Sequence, residues 1–395
     1  MNVCSVCLGR PDTTPAGVEL TLWKISKELV KLGCDAHIVF NLTASPESPS
    51  DSIVDGVHLH GVNASSRNAL STKLSFSLSA SQKLAEVGKT YNIDIFAFHG
   101  PYSLLSVPLF RRYVSKPFVY HTYATLLYEA QTHLFQILNA KIAPDFMKKL
   151  LMYSFYTPLE LFSLKYFTKI IVASSMAARE FETYYHYPNN QIGIVPIGQD
   201  LFERYAAKVI KEAEYAFEGK KVLLFVGNDW YRKGVWYLIL AFNELIRKLP
   251  NTILIMTGIP REPYLSLIRN LKLENSVLLV GNVDEETLAK YYALCDVFVL
   301  PSFHEGFSNT IIEAMAFGKP VVTTSIAGYP VVSNGKDGFI IKSSNYADIA
   351  DSIVRLLENN ELYQNMSRNA AHKAEEYTWR ESARRLLRIY SSLIE

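Results

Sequence analysis

Short apolar runs rich in β-favouring residues alternate with helix-patterned segments along nearly the whole chain, and this alternation leaves few folds open. In the first half the runs cover 2–9, 35–42, 57–62, 93–100, 117–123, 169–174 and 192–198. In the second half they cover 221–228, 252–258, 277–282, 296–302, 320–324 and 338–342. Such alternation implies parallel sheets with helices on both faces. The runs are too many for one sheet, and the pattern restarts after a polar helical stretch from Glu203 to Gly219. The expected fold is α/β, with two Rossmann-like α/β/α domains over residues 1–200 and 220–378, a linker over 201–219 and a terminal helix over 379–395. That helix carries Leu386, Leu387 and Tyr390 on one face. Two such domains facing each other place a deep cleft between the carboxyl ends of their sheets.

A chain of 395 residues is long enough for two full cores. Its 49% hydrophobic and 20% charged content is that of a globular protein, and a net charge of +2 gives no global attraction to nucleic acid. No signal peptide opens the chain and no run of about twenty apolar residues could span a bilayer, so a cytoplasmic protein is expected. Cys4 and Cys7 form a C-x-x-C, but odd spacing in a strand sends them to opposite faces, and no second Cys/His pair completes a zinc site. With Cys34 and Cys295 they read as core residues without disulfides.

The chemistry concentrates in PSFHEGFSNTIIEAMAFGKPVVTTS, Pro301 to Ser325. A strand ends at Pro301, Glu305 and Gly306 follow in a loop, and Ser308 or Asn309 caps a short helix that Gly318 stops. Glu313 lies inside that helix among Ile311, Ile312, Ala314, Met315, Ala316 and Phe317. A carboxylate in such surroundings needs a polar partner. Backbone amides over Gly306, Phe307, Ser308, Asn309 and Thr310 face outward at the helix start, a natural seat for a diphosphate. The arrangement suits a phosphorylated, hydroxyl-rich ligand.

The segment resembles the glutamate-x7-glutamate motif of retaining nucleotide-sugar transferases with the GT-B fold, glycosyltransferase family 4 in particular. The resemblance extends over nearly the whole chain and is strongest from Lys221 to Lys342. It implies that Glu305 sits beside the transferred sugar and that Glu313 holds the ribose hydroxyls. It also implies that the last helix crosses back onto the N-terminal domain. In KVLLFVGNDWYRKGVW, Lys233 matches the family's diphosphate-binding lysine, while the family's arginine position is Asn228. Arg232 either replaces that charge or is a solvated cation at a helix start. His121, in PFVYHTY, matches a histidine that reaches the sugar, whereas His99 reads as structural. Ala16-Gly17, ahead of Glu19, correspond to a Gly-Gly loop on the acceptor side, and Val283 marks the strand end near the nucleobase. Val331 stands where relatives carry a glutamate after proline.

No Asp-x-Asp pair occurs, so helix amides and Lys233 are expected to neutralise the diphosphate with no metal and no cofactor. The resulting expectation is a retaining hexosyltransferase that uses a nucleoside-diphosphate sugar, UDP-linked as the family's commonest donor, and a glycan or lipid-linked acceptor. Its rivals are a non-catalytic GT-B subunit, a GT-B sugar-nucleotide epimerase and a phosphorylase-like enzyme. From Arg111 to Lys169 basic residues interleave with Phe and Tyr, either as an anionic-membrane surface at the cytoplasmic face or as core aromatics with lysines at the rim.

Overall fold

The computed structural model describes residues 1–13, 17–42, 50–64, 69–122, 125–127, 130, 145–213, 217, 219–342 and 344–395. They fall into two compact units, Met1–Ile197 with Trp379–Glu395, and Gly198–Thr378.

The first unit is built on β1 (Asn2–Val6), β2 (Asp35–Asn41), β3 (Asp51–Val54), β4 (Val57–Val62), β5 (Ile95–His99), β6 (Phe118–Thr122), β7 (Lys169–Val172) and β8 (Ile192–Ile194). They form one sheet in the order β3-β4-β2-β1-β5-β6-β7-β8. All neighbours run parallel except β3, which folds back antiparallel on β4 across Asp55 and Gly56. The parallel strands are buried on both faces, which is why they show as unbroken apolar runs. Strand β3 has exposed and half-buried residues in alternation and no apolar run, so the sequence gives no sign of it. Cys4 and Cys7 enter separate packing clusters, as their spacing requires, and all four cysteines are buried free thiols. The terminal helix Trp379–Ile394 packs on the helix Gly17–Lys31 and places Ala383, Leu386 and Tyr390 against Val3, Ile95 and Val119.

The second unit carries β9 (Lys221–Phe225), β10 (Thr252–Thr257), β11 (Val277–Gly281), β12 (Val297–Leu300), β13 (Val321–Thr324) and β14 (Gly338–Ile341). Their order is β11-β10-β9-β12-β13-β14, all parallel. The helical stretch expected as a linker over 201–219 begins with the helix Leu201–Ala213, which belongs to this unit. Leu201, Tyr205 and Val209 recur every four residues and form its inward stripe. Its outward cations, Arg204 and Lys208, pair with Glu285 and Glu286 on the helix Glu285–Leu294. The polar composition that suggested a linker is the solvated face of a packed helix.

In the basic aromatic stretch some aromatic side chains are core and others are exposed. On the helix Asp145–Leu164, Tyr153 and Tyr156 are buried with Leu126, while Phe155, Leu161 and Phe162 are exposed. Lys141 and Glu129 lie outside the described residues, as does Ala16. Among the described residues no helix is long and apolar enough to cross a membrane.

Candidate donor site

Strand β12 ends at Leu300 in the middle of the second sheet, and the chain turns there into the loop that carries Glu305. Two threonines of the neighbouring β13 hold the turn: Thr323 Oγ1 donates to the Leu300 carbonyl (2.7 Å) and Thr324 Oγ1 to the Ser302 carbonyl (2.6 Å). The helix Asn309–Ala316 follows. Its N-cap, Ser308, is extended but its side chain caps no amide, and Ser308 Oγ pairs with Thr310 Oγ1 at 3.2 Å instead. The N–H groups of that first turn have no partner within the helix. Asn309 Oδ1 is buried there and has no hydrogen-bond partner among the described residues. At the other end Gly318, at φ +68°, reverses the chain and donates to the Met315 carbonyl (2.8 Å).

Glu305 is buried between two cations. Its Oε1 accepts from Lys233 Nζ (3.0 Å) and Ser302 Oγ (3.0 Å), and its Oε2 lies 2.9 Å from Arg232 Nη1. Arg232 Nη1 also donates to the His304 carbonyl (2.7 Å), and Asp229 holds the other side of the guanidinium at 3.5 Å. Burial alone would raise the Glu305 carboxyl, but the Lys233 and Arg232 charges outweigh it and bring it down to about 2. The group is a permanent anion at neutral pH.

Two glycines bring β9 and β12 close enough for this pairing. A Cβ on Gly234, at φ +70°, would lie 2.1 Å from the Pro301 carbonyl oxygen. One on Gly227 would lie 2.2 Å from Lys233 Cδ. The turn after β9 is therefore folded around the stem of Lys233. Asn228 points elsewhere: its Oδ1 accepts from Ile259 N (3.1 Å) and ties the β9 turn to the one after β10.

Glu313 sits on the same short helix but apart from the cations. It is partly exposed, and its Oε2 accepts from the buried Tyr292 hydroxyl at 2.8 Å. Desolvation raises its carboxyl above the ordinary range, and the tyrosine hydrogen bond opposes that only in part. Phe307 is half-buried beside Tyr377. Val283 lies in the turn after β11, just before Asp284 caps the next helix through Thr287 N (2.8 Å). Val331 is buried in the core of this unit and carries no polar function.

The structure thus brings Glu305, Lys233 and Arg232 together, with Gly306 to Thr310 and Glu313 following on the same loop and helix. His121 and Gly17 belong to the first unit. His121 is buried on β6, stacked on His99 with ring centroids 4.2 Å apart, and its Nε2 is 2.7 Å from the Tyr390 hydroxyl. Burial, reinforced by His99, holds it well below the ordinary histidine range, so it is a neutral imidazole. Gly17 opens its helix with free space around it. Sequence reasoning missed Ser302 and Tyr292, which fix the two glutamates. Tyr292 reaches Glu313 from 21 residues away, which no local spacing encodes, whereas Ser302 stands three residues before Glu305 in the same motif.

Residues 15–202 match the family model "Glycosyltransferase Family 4" and residues 207–373 match "Glycosyl transferases group 1". Among characterised relatives, the chain is 31% identical over 180 residues to D-inositol 3-phosphate glycosyltransferase of Corynebacterium efficiens, covering 43% of this chain and 42% of that one. It is 27% identical over 194 residues to N-acetyl-alpha-D-glucosaminyl L-malate synthase of Bacillus anthracis, covering 49% and 48%. The matches to these two thus span about half the length of each relative. Sucrose-phosphate synthase of Thermosynechococcus elongatus superposes with a TM-score of 0.79 at 18% identity over 99% of this chain and 98% of that one. HepE of Anabaena, in complex with UDP-glucose, does so with 0.72 at 18% identity over 99% and 100%. At that identity the likeness speaks for the fold, while the two family models between them take in nearly all of the sequence. The chain belongs to glycosyltransferase family 4 and has the GT-B fold.

Proposed function

We propose that the protein transfers a hexosyl unit from a nucleoside-diphosphate sugar, with UDP the expected nucleotide, to a glycan or lipid-linked acceptor, with retention at the anomeric carbon and no required metal ion. The observation that carries this reading is the buried Glu305 between Lys233 and Arg232, next to a helix start whose amides no side chain caps. Lys233 and Arg232, partnered by Glu305 and the more exposed Asp229, are placed where the charge of a leaving diphosphate would develop. The first-turn amides add oriented donors for the diphosphate, whereas Asn309 Oδ1, which has no partner among the described residues, can only accept, as from a ligand hydroxyl. HepE, which shares the fold, is known in complex with UDP-glucose, which favours a uridine nucleotide here.

The roles follow from the chemistry of each group. Glu313, held by Tyr292 and partly open, presents its carboxylate to the ribose hydroxyls. A carboxyl held at about 2 donates no proton at neutral pH, so Glu305 serves as a fixed anion that orients sugar hydroxyls. The bond from the anomeric carbon to the diphosphate oxygen breaks, the acceptor oxygen bonds to the same face, and its proton passes to the departing phosphate. Lys233 and Arg232 stabilise the charge that develops there. The exposed Phe155, Leu161 and Phe162, with Lys165 nearby, make a peripheral contact with an anionic membrane the accompanying proposal.

The test is thermal stability of the purified chain with UDP, GDP, ADP and their sugars, for the wild type and Glu313→Ala. A binding nucleotide raises the midpoint by mass action. A shift with one nucleotide series that is lost in the variant is the expected result. A folded protein that responds to none of them would overturn the transferase reading in favour of a non-catalytic GT-B subunit.

A further inference from the structure

At the amino-terminal end of the first sheet, the opposite end from the one at which open α/β sheets take their ligands, two adjacent parallel strands place a carboxylate and three imidazoles on one face. Asp35 and His37 alternate along β2, and His58 and His60 alternate along β4, with His37 paired to His58. One ligand atom each from Asp35, His37 and His58 lies within 4.8 Å of the others. His37 is wholly buried, its ring stacked on His58 with centroids 4.6 Å apart and covered by Tyr91 at 4.3 Å.

A chain of hydrogen bonds orients the ring of His37. Asp51 Oδ1 lies 2.7 Å from His60 Nδ1, which donates to it. His60 Nε2 lies 3.1 Å from His37 Nδ1. The other ring nitrogen of His37, Nε2, lies 3.3 Å from Asp35 Oδ2, and His58 Nε2 lies 3.3 Å from Asp35 Oδ1. One carboxylate is thus flanked by two imidazole nitrogens, one beside each oxygen. Bonds of about 2.05 Å to a tetrahedral zinc ion separate two ligand atoms by about 3.3 Å.

We propose that Asp35, His37 and His58 form a binding site for one divalent transition-metal ion of the kind that prefers imidazole, zinc being the probe, in a different unit from the donor-binding residues. The site has three protein ligands, and the partial exposure of Asp35 and His58 leaves a position open to water. The His60–Asp51 pair is the outer shell that orients His37, the arrangement metal-bound histidines ordinarily have. Lys83 Nζ, 3.4 Å from Asp51 Oδ1, anchors the far end.

The experiment uses untagged full-length protein stripped with EDTA and dialysed. Zinc is titrated calorimetrically, the bound metal is counted by elemental analysis, and melting is followed with and without zinc. One zinc per chain and a raised midpoint are expected. Asp35→Asn and His58→Gln, both at partly exposed positions, should weaken binding at least tenfold while melting like the wild type in EDTA. Asp51→Asn, which removes only the outer shell, should weaken it roughly 10- to 100-fold. Less than one zinc per chain in the wild type, or undiminished binding in Asp35→Asn and His58→Gln, would overturn the proposal. Undiminished binding in Asp51→Asn would overturn the outer-shell role given to the His60–Asp51 pair.

Discussion

Replacing Glu305 by glutamine keeps the shape of the side chain and removes its charge, which leaves Lys233 and Arg232 facing each other without their shared anion. The cost follows from the carboxyl itself. Its ordinary value is 4.5 and the folded protein holds it at about 2. At about 1.4 kcal/mol for each tenfold change in proton affinity, that difference is roughly 3 kcal/mol of stability at neutral pH. Removing one partner of a buried ion pair typically costs about 3–5 kcal/mol, a range that this value meets. The sign is fixed by the direction. A carboxyl depressed on folding stabilises above its unfolded value and loses that contribution as pH falls from 4.5 through about 2. Urea unfolding of wild type and Glu305→Gln should therefore differ by about 3 kcal/mol at pH 7, in the transition of the unit Gly198–Thr378. The gap should narrow steadily below pH 4.5. A diphosphate supplies the missing negative charge, so UDP should raise the variant's midpoint as much as the wild type's or more. Equal stability of the two proteins at pH 7, or a gap that does not shrink in acid, would refute the ion-pair reasoning.

Gly234→Ala forces a Cβ to within 2.1 Å of the Pro301 carbonyl at φ +70°. The left-handed backbone alone costs about 1–2 kcal/mol, so denaturant unfolding should show a larger loss than that, and nucleotide binding should vanish. Tyr292→Phe removes the hydroxyl 2.8 Å from Glu313 and pushes an already raised carboxyl further up. Calorimetry should show nucleotide affinity falling about tenfold for the lost hydrogen bond, and falling further as pH drops, starting at a higher pH than in the wild type. Phe155→Asp with Phe162→Asp, both at exposed positions, should leave folding unchanged and abolish co-sedimentation with anionic vesicles. Unchanged co-sedimentation would return the membrane reading to a rim of lysines around a core.

The parallel strands were legible because burial on both faces leaves unbroken apolar runs. Strand β3 was not, since an edge strand with one exposed face shows no such run. The helix Leu201–Ala213 was misread because its polar face outweighs a stripe of one residue in four. The loop from Pro301 to Gly318 was legible for a different reason: a carboxylate among apolar residues and a glycine at each turn are local signals. Tyr292, which holds Glu313 from another helix 21 residues away, was out of reach. Ser302 stands three residues before Glu305, so its hydroxyl lay within local reach and was passed over. The histidine cluster on β2 and β4 depends on register, which two isolated apolar runs do not specify.

Asn228 shows why a departure in one sequence position need not be a departure in chemistry. A diphosphate responds to the positions of charges in space and not to their order along the chain. The amide oxygen of Asn228 is used in holding two turns together, through Ile259 N. The backbone then returns through Asp229 and Tyr231, and the guanidinium of Arg232, four residues on, reaches Glu305 from the side opposite Lys233. Asp229 holds that guanidinium from behind, so its placement is supported on two sides. Gly227 makes the same turn possible by leaving room for the lysine stem that any Cβ would fill. Two cations and two carboxylates, Lys233 and Arg232 with Glu305 and Asp229, are therefore linked by ion pairs there, although the arginine is not where the family pattern puts it. That pairing favours a competent donor site over a binding fold that has lost its chemistry.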